Sequence, residues 1–292
     1  MKIWRDKEIK PFLKIAWVSE EAKNKWSGVI NEISQMVQWL EIESVRVGQR
    51  KAGWRSIKRS ELVSFSNRMN EIGLIVVPVR EVGNWGEGFA HKTIPVKEGK
   101  GEPLVYTIIT KKMEIAMEYK RAFEKGDNDK QGELLGFPGC CRKFFAKVWR
   151  EGYIDPIWQV GLNSKYKEVA KNKIRIYDID WRSNPMLRYI GIRISFHIPC
   201  SFKCKDTIRM ANERLSIIDE KRKDLIKVME GLLRMPMSWD VYRGVAVIRT
   251  PIFYIVTNSV FSKEKYVVEV KGDFIPREGK YSDVFPFSEV KR

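Results

Sequence analysis

The sequence lacks the long apolar run that a membrane-spanning helix requires. A span needs about 18 consecutive apolar residues, whereas the longest candidate, Val245 to Val256, is interrupted by Arg249 and Pro251. The first ten residues, MKIWRDKEIK, are polar and charged, and no apolar segment of the signal-peptide type follows them. These absences predict a cytoplasmic protein without a membrane partner.

Common nucleotide-binding patterns are also missing, since the chain contains neither GxGxxG nor GxxxxGK[ST]. It shows no internal repeat and no low-complexity tract. Cysteine is scarce, with four residues in 292. The disulfide framework of a small secreted domain is therefore not expected.

What the sequence has in excess is positive charge. Lysine and arginine number 54 against 37 acidic residues, which gives a formal charge of +17. Such a surplus favours a polyanionic partner, and we expect nucleic acid, RNA rather than DNA. The alternative is the highly charged surface of a thermophile, although that surface usually balances its two signs.

Hydrophobic periodicity predicts an α/β or α+β fold with a mixed sheet, flanking helices and a C-terminal β-hairpin region. Helical spacing extends over residues 20–40, whereas short apolar runs such as 74–79 and 104–109 are typical of strands. Residues 83–103 are rich in glycine and favour a linker or mobile loop. We therefore expect an N-terminal α/β portion over residues 1–100 and a cysteine- and histidine-bearing α/β domain over residues 101–292.

A basic segment in the N-terminal portion is a candidate nucleic-acid contact. Its glycines predict a loop, and cationic side chains around an aromatic ring suit a phosphate backbone and a stacked base. The alternative is a solvated loop whose tryptophan packs onto the core. The candidate residues are Arg46, Arg50, Lys51, Trp54, Arg55, Lys58 and Arg59.

The cysteines fall into two pairs that we expect folding to bring together. Cys140 and Cys141 follow Gly-Phe-Pro-Gly and are predicted to lie in the first turn of a helix, where the positive end of the dipole stabilises thiolates. His197 ends a segment, residues 192–197, whose strict alternation predicts a strand. Pro199 then suits a helix start, which would place Cys200 and Cys204 on one helical face.

This constellation predicts a metal site, and its occupant is open at this point. Four thiolates could hold an iron–sulfur cluster, which we favour because adjacent cysteines diverge and a cluster with several irons tolerates that. Zinc, held by four thiolates or by three with His197, is the alternative. Buried core cysteines, two disulfides or a catalytic Cys140–His197 pair would use the same residues.

Two motifs resemble those of an uncharacterised prokaryotic family that is common in archaea. They are a Gly-aromatic-Pro-x-Cys-Cys motif, here in GELLGFPGCCRKFF, and a His-x-Pro-Cys-Ser-x-x-Cys motif, here in NPMLRYIGIRISFHIPCSFKC. The stretch WDVYRGVAVIRTP is similar to the family's distal region, so that the resemblance covers roughly residues 110–255. It implies that Cys140, Cys141, His197, Cys200 and Cys204 form the site, but it supplies no reaction.

Three functions are compatible with these features. The first is an iron–sulfur protein that binds or acts on nucleic acid, such as an RNA-modifying enzyme, with His197 as a fifth ligand or proton-transfer group. The second is a nucleic-acid-binding module with a structural zinc or disulfides. The third is a thiol enzyme for a small acidic or phosphorylated substrate, with Cys140 as the nucleophile and His197 as the base.

Overall fold

The computed structural model describes residues 2–4, 13–83, 96–98, 101–150, 159–161, 163–170, 173–176, 178–235, 237–240, 245–258 and 268–270. Its helices are α1 (Glu20–Arg46), α2 (Leu62–Glu71), α3 (Met113–Glu124), α4 (Asn128–Leu134), α5 (Gly139–Arg150), α6 (Lys205–Leu215) and α7 (Lys223–Leu233). Its strands are β1 (Lys2–Trp4), β2 (Leu13–Trp17), β3 (Ala52–Lys58), β4 (Ile75–Val82), β5 (Leu104–Thr110), β6 (Tyr166–Ala170), β7 (Lys173–Ile176), β8 (Met237–Asp240), β9 (Val245–Arg249), β10 (Phe253–Asn258) and β11 (Val268–Val270).

The strands that the structure describes form three sheets. A six-stranded sheet has the order β2-β10-β9-β8-β7-β6, a three-stranded sheet has the order β3-β5-β4, and β1 pairs with β11. Every strand pair among the described residues is antiparallel. The predicted combination of helices and strands with a C-terminal hairpin, β9–β10, is confirmed, and its arrangement is the α+β variant.

Helix α1 connects the two larger sheets. Ser19 caps its start by accepting a hydrogen bond from the Ala22 amide at 3.1 Å. Its apolar stripe, which includes Ile33, Val37 and Leu40, packs into the core beside the six-stranded sheet. Val45, near its end, belongs instead to the core of the three-stranded sheet. The long helix therefore spans both apolar cores.

The three-stranded sheet is covered on both faces. On one face, Ile57 and Ile109 pack with Phe65 and Met69 of α2. On the opposite face, Ile108 packs with the side chains of α3 and α4. Because side chains alternate along a strand, the residues of β3 are divided between these two layers. The domain boundary predicted near residue 100 remains a prediction, and this sheet draws β3 and β4 from one side of it and β5 from the other.

The prediction of a strand at residues 192–197 is wrong. Both sides of this segment are buried, since Ser195 and His197 are as enclosed as Ile194 and Phe196. Side chains rather than a neighbouring strand form hydrogen bonds with some of its backbone groups. The Arg214 guanidinium, for example, donates to the Ile194 carbonyl at 3.0 Å. The segment is an irregular stretch of chain inside the core.

Two further predictions about local structure are corrected. The basic segment is largely strand β3 rather than a loop, because Leu104 to Thr110 of β5 pair with it. The helix predicted from Pro199 begins only at Lys205, so that Cys200 lies before it. The glycine-rich linker falls mostly outside the described residues. Among the helices that are described, none combines the length and hydropathy needed to cross a membrane.

Candidate metal centre and adjoining cavities

Four cysteine side chains converge where α5 and α6 begin. Cys140 and Cys141 lie in the first turn of α5, as predicted. Cys204 is the N-cap residue of α6, and Cys200 lies in the irregular segment before it. A tight turn at Gly136, whose φ is 73°, separates α4 from α5 and directs the start of α5 toward α6. The four sulfur atoms lie within 4.8 Å of one another and could hold a metal ion.

The sulfur–sulfur distances are those of separate thiols in contact. They are 3.8 Å between Cys140 and Cys141, 3.6 Å between Cys140 and Cys204, and 3.5 Å between Cys141 and Cys204. A disulfide bond would require about 2.05 Å, and all four cysteines are free. The two-disulfide interpretation therefore does not describe this structure.

Polar groups from the start of α6 and from the segment before it surround the sulfurs. The Cys200 amide donates to the Cys141 sulfur at 3.3 Å, and the Thr207 hydroxyl lies 3.3 Å from the same atom. The Cys140 thiol donates to the Asp206 carboxylate at 3.3 Å. Hydrogen bonds from an amide and a hydroxyl stabilise negative charge on sulfur. Sequence reasoning missed Asp206 and Thr207, although their place directly after Cys204 in the first helical turn was a usable signal.

The thiols compete for protons when no cation is present. Desolvation, followed by the contact with Cys204, raises the pKa of Cys140 to about 12. Hydrogen bonds with Cys200 and Cys204 raise the pKa of Cys141, whereas the bonds that Cys204 receives from Cys141 and Cys200 lower its pKa. One thiolate is thus stabilised by its protonated neighbours. Release of the remaining protons requires a positive charge among the sulfurs, which a metal ion supplies.

His197 lies beside the cysteines but is separated from them by Thr207. Its Nε2 atom is 3.0 Å from the Thr207 hydroxyl, and its ring stacks on Phe137 at 5.2 Å between centroids. Burial, and then the positive charge of Arg214, lower the pKa of His197 to about 3. The imidazole is therefore neutral at physiological pH. His197 bonds to Thr207, which also contacts the Cys141 sulfur, and the catalytic pair of Cys140 and His197 remains a prediction.

A cavity of about 280 Å³ adjoins this site. Cys141 and His197 lie in one wall, and aromatic rings form much of the remainder. Those rings are Trp54, Tyr106, Tyr119, Phe137, Phe145 and Phe196. We call this the aromatic cavity. A planar apolar group of modest size would match its lining.

A second cavity of about 310 Å³ has a polar lining. Arg55, Arg188 and Arg193 contribute to it, together with Glu41 and Ser34. We call it the arginine cavity. Trp54 and Arg188 line both cavities, so that the two share a wall.

Comparison with protein-family models, curated proteins and solved structures finds no match to this chain. The chemistry of the site is therefore argued from its own geometry.

The structure distributes the predicted basic residues over several environments instead of one surface. Arg46, Lys58 and Arg59 pair with Glu43, Glu61 and Glu81 at 2.5, 3.4 and 3.0 Å. Lys51 is exposed.

The other three residues of the basic segment point inward. Arg50 is buried and donates to the Leu135 carbonyl at 3.0 Å. Arg55 donates to the Gln38 carbonyl at 2.8 Å, and Trp54 packs on Tyr106 at 5.4 Å between ring centroids. Their nucleic-acid role remains a prediction, and its geometry would be that of a cavity rather than of a loop.

Proposed function

We propose that the protein binds one metal ion through Cys140, Cys141, Cys200 and Cys204, and that zinc fits this site best. The observation that carries the proposal is the convergence of four sulfurs within 4.8 Å. Tetrahedral zinc with bonds of about 2.3 Å places its sulfur ligands about 3.8 Å apart. The sulfur–sulfur distances among Cys140, Cys141 and Cys204, which are 3.5–3.8 Å, agree with that value, and the Cys200 sulfur lies within 4.8 Å of the other three.

An iron–sulfur cluster, favoured from the sequence, becomes the second candidate. In a 4Fe–4S cluster each thiolate binds a different iron, and in a 2Fe–2S cluster two thiolates bind each iron, so that some of the four thiolates are always on different irons. Their sulfurs would lie farther apart than the ligands of a single ion. The compact spacing therefore supports a mononuclear site, and a single iron bound by four thiolates would share its geometry.

A metal with four thiolate ligands has no coordination position left for water or substrate, so we propose a structural role. The ion would join the start of α5 to the segment that precedes α6. Cys141 also lines the aromatic cavity, and Thr207 connects it to His197. The metal would thereby fix one wall of that cavity.

Elemental analysis after anaerobic purification tests the metal. We expect about one zinc per chain and no absorption band near ~400 nm. Cys200→Ser should lower the zinc content, whereas Ser201→Ala, which removes a neighbouring hydroxyl but no sulfur, should retain it. Several irons per chain with that absorption would establish the cluster instead, and protein without either metal would refute the site.

We further propose that the protein binds nucleic acid, with RNA as the first candidate. The formal charge of +17 supports this, as do arginine side chains next to an aromatic cavity. With a closed metal site, binding is better supported than metal-dependent modification of RNA. The resemblance to the archaeal family concerns the same cysteines and stays a proposal without a reaction.

A shift assay with single-stranded RNA tests this binding. Because neutralised phosphates release counterions, we expect the affinity to fall at least about tenfold between 50 and 200 mM salt. Polyglutamate serves as the control polyanion and should not compete. Affinity that is independent of salt would contradict the electrostatic argument.

A further inference from the structure

Four arginine side chains cluster between α1, β3 and the irregular core segment. Arg50 and Arg214 are only 4% and 1% exposed, while Arg55 and Arg193 line the arginine cavity. Three of the guanidinium groups lie over the ring of Phe196, at 5.4 Å for Arg50, 5.2 Å for Arg193 and 4.5 Å for Arg214. These contacts place several positive charges around one buried ring.

The negative charge near this cluster is smaller than the positive charge. Glu41, which is 7% exposed, lies 4.0 Å from Arg50 and 3.9 Å from Arg193. Burial lowers the pKa of Arg214, and the charges of Arg50 and Arg193 lower it further. Buried cations that repel one another are costly unless an anion compensates them. The arrangement therefore favours an additional negative group.

Several donors of the cluster also lack acceptors. Within the described part of the chain, no hydrogen-bond partner faces Arg50 Nη1 and Nη2, Arg55 Nε, Arg193 Nε or Arg214 Nε. Buried side-chain donors are normally satisfied, so that each exception needs an explanation. Of these residues Arg55 and Arg193 line the arginine cavity, and a bound anion with several oxygen acceptors would supply partners for their guanidinium groups.

We propose that the arginine cavity binds the phosphate of a nucleotide and that the adjoining aromatic cavity receives its base. Phosphate is preferred because its oxygens match the donor fork of arginine and accept from more than one guanidinium. This inference rests on the proposed nucleic-acid binding, and the identity of the metal does not enter it.

The shared wall explains why a nucleotide fits better than a free anion. Trp54 and Arg188 border both cavities, so that one ligand could extend from the cationic space into the aromatic space. Bases stack on aromatic rings irrespective of sequence. A cavity of about 280 Å³ is within the size range of small-molecule sites. The same chemistry serves a free nucleotide or one unit of an RNA strand.

Isothermal titration calorimetry of the full-length protein tests the proposal. The probes are the four ribonucleoside monophosphates, their nucleosides and inorganic phosphate. We expect at least one monophosphate to bind tenfold or more tightly than both its nucleoside and inorganic phosphate. Arg193→Gln should weaken that binding at least tenfold. Arg80→Gln removes the same charge from an exposed position of β4 and should leave it unchanged.

Thermal unfolding separates loss of the site from loss of the fold. Arg193→Gln removes the repulsion from Arg50 and Arg214 together with the attraction to Glu41, and because these effects oppose each other the ligand-free melting temperature should change little. A lower melting temperature together with weaker binding would indicate a structural role and count against the proposal. Trp54→Leu, which removes the shared ring, should reduce monophosphate binding more than phosphate binding.

Three results would overturn the proposal. They are the absence of monophosphate binding, equal affinity for phosphate and monophosphate, and undiminished binding by Arg193→Gln. RNA binding in the shift assay is measured on the same variants. If RNA binds with its salt dependence intact while monophosphates do not, nucleic-acid binding stands and the cavity assignment fails. If a monophosphate binds but a single-stranded oligonucleotide does not, the ligand is a free nucleotide.

Discussion

His197 is a histidine that the fold keeps uncharged. Its ring is 7% exposed, and Arg214 and Arg50 add positive charge near it, whereas Cys204 opposes that effect. A neutral imidazole with Nε2 at Thr207 can orient the hydroxyl that contacts the Cys141 sulfur. The residue is therefore better placed to organise the surroundings of the metal than to transfer protons at neutral pH.

This environment predicts a pH-dependent loss of stability. The pKa of His197 is about 3 in the folded protein and near 6.5 when the chain is unfolded. Below pH 6.5 the unfolded state binds a proton that the folded state excludes. The stabilisation is thus complete above pH 6.5, and it is lost by about 1.4 kcal/mol per pH unit as the pH falls toward 3.

Urea unfolding of the wild type and His197→Gln at pH 7.5 and pH 5 measures the effect. At saturating zinc, the free energy of unfolding of the wild type should fall by about 2 kcal/mol more than that of the variant between pH 7.5 and pH 5. Metal loss in acid affects both proteins and cancels in the difference. Equal losses would mean that His197 is accessible to protons in the folded state.

Among the elements, the junction between α1 and the core segment depends on Gly191. Its φ of 77° is in the left-handed region, and a Cβ atom there would lie 2.0 Å from the Ser34 hydroxyl and 3.0 Å from its Cα atom. Gly191 also lines the arginine cavity. A side chain at this position would push α1 away from the segment that carries Arg193.

We therefore expect Gly191→Ala to destabilise the protein by roughly 2–4 kcal/mol, from backbone strain and the collision with Ser34. Adding Ser34→Gly should restore only part of the lost stability, because the strained φ at residue 191 remains. The control is Gly28→Ala in α1, where a Cβ meets nothing within 4 Å. This control substitution should stabilise the protein by about 0.5–1 kcal/mol. Chemical denaturation checks all three, and an unchanged stability of Gly191→Ala would refute the close packing.

The elements also show where sequence reasoning succeeds. The stripe of Ile33, Val37 and Leu40 predicted α1, since a helix with one buried face has a regular signal. The strand prediction for residues 192–197 was wrong because apolar and polar residues can alternate by chance in a core segment that is buried on both sides. Helix α4 was not foreseen from the sequence, although Asp127 caps it by accepting a hydrogen bond from the Lys130 amide. That capping signal was overlooked among the polar residues.

Some features of the candidate site were likewise predictable from the sequence, and others were not. The paired cysteines and the helix start at Cys140 were predictable because they are local features. The convergence of the sulfurs was an expectation that the structure supports with distances. The arginine cluster was not foreseen, since Arg50, Arg193 and Arg214 are far apart in sequence and only the fold brings their charges together.

For the whole molecule, the metal and the cavities form one connected arrangement. The sulfurs join α5 to the segment before α6, Thr207 links Cys141 to His197, and Phe137 stacks on that imidazole. Cys141, His197 and Phe137 all line the aromatic cavity. Loss of the metal should therefore loosen the cavity wall that carries these three residues and leave strand β4, which does not line the cavity, unchanged.

Removal of the metal by a chelator tests this coupling. Because the ion binds the folded state, its removal should lower the melting temperature. The decrease should be larger when the metal-loaded protein is measured at a higher free metal concentration. Hydrogen exchange should increase at residues 139–145 and 200–208 and stay unchanged in β4, whose backbone bonds do not involve the site. Monophosphate affinity should fall because the aromatic wall loosens, whereas affinity for inorganic phosphate should not change. A uniform rise in exchange would instead mean that the ion holds the entire fold, and no change at either segment would remove the ion from the structural role assigned to it.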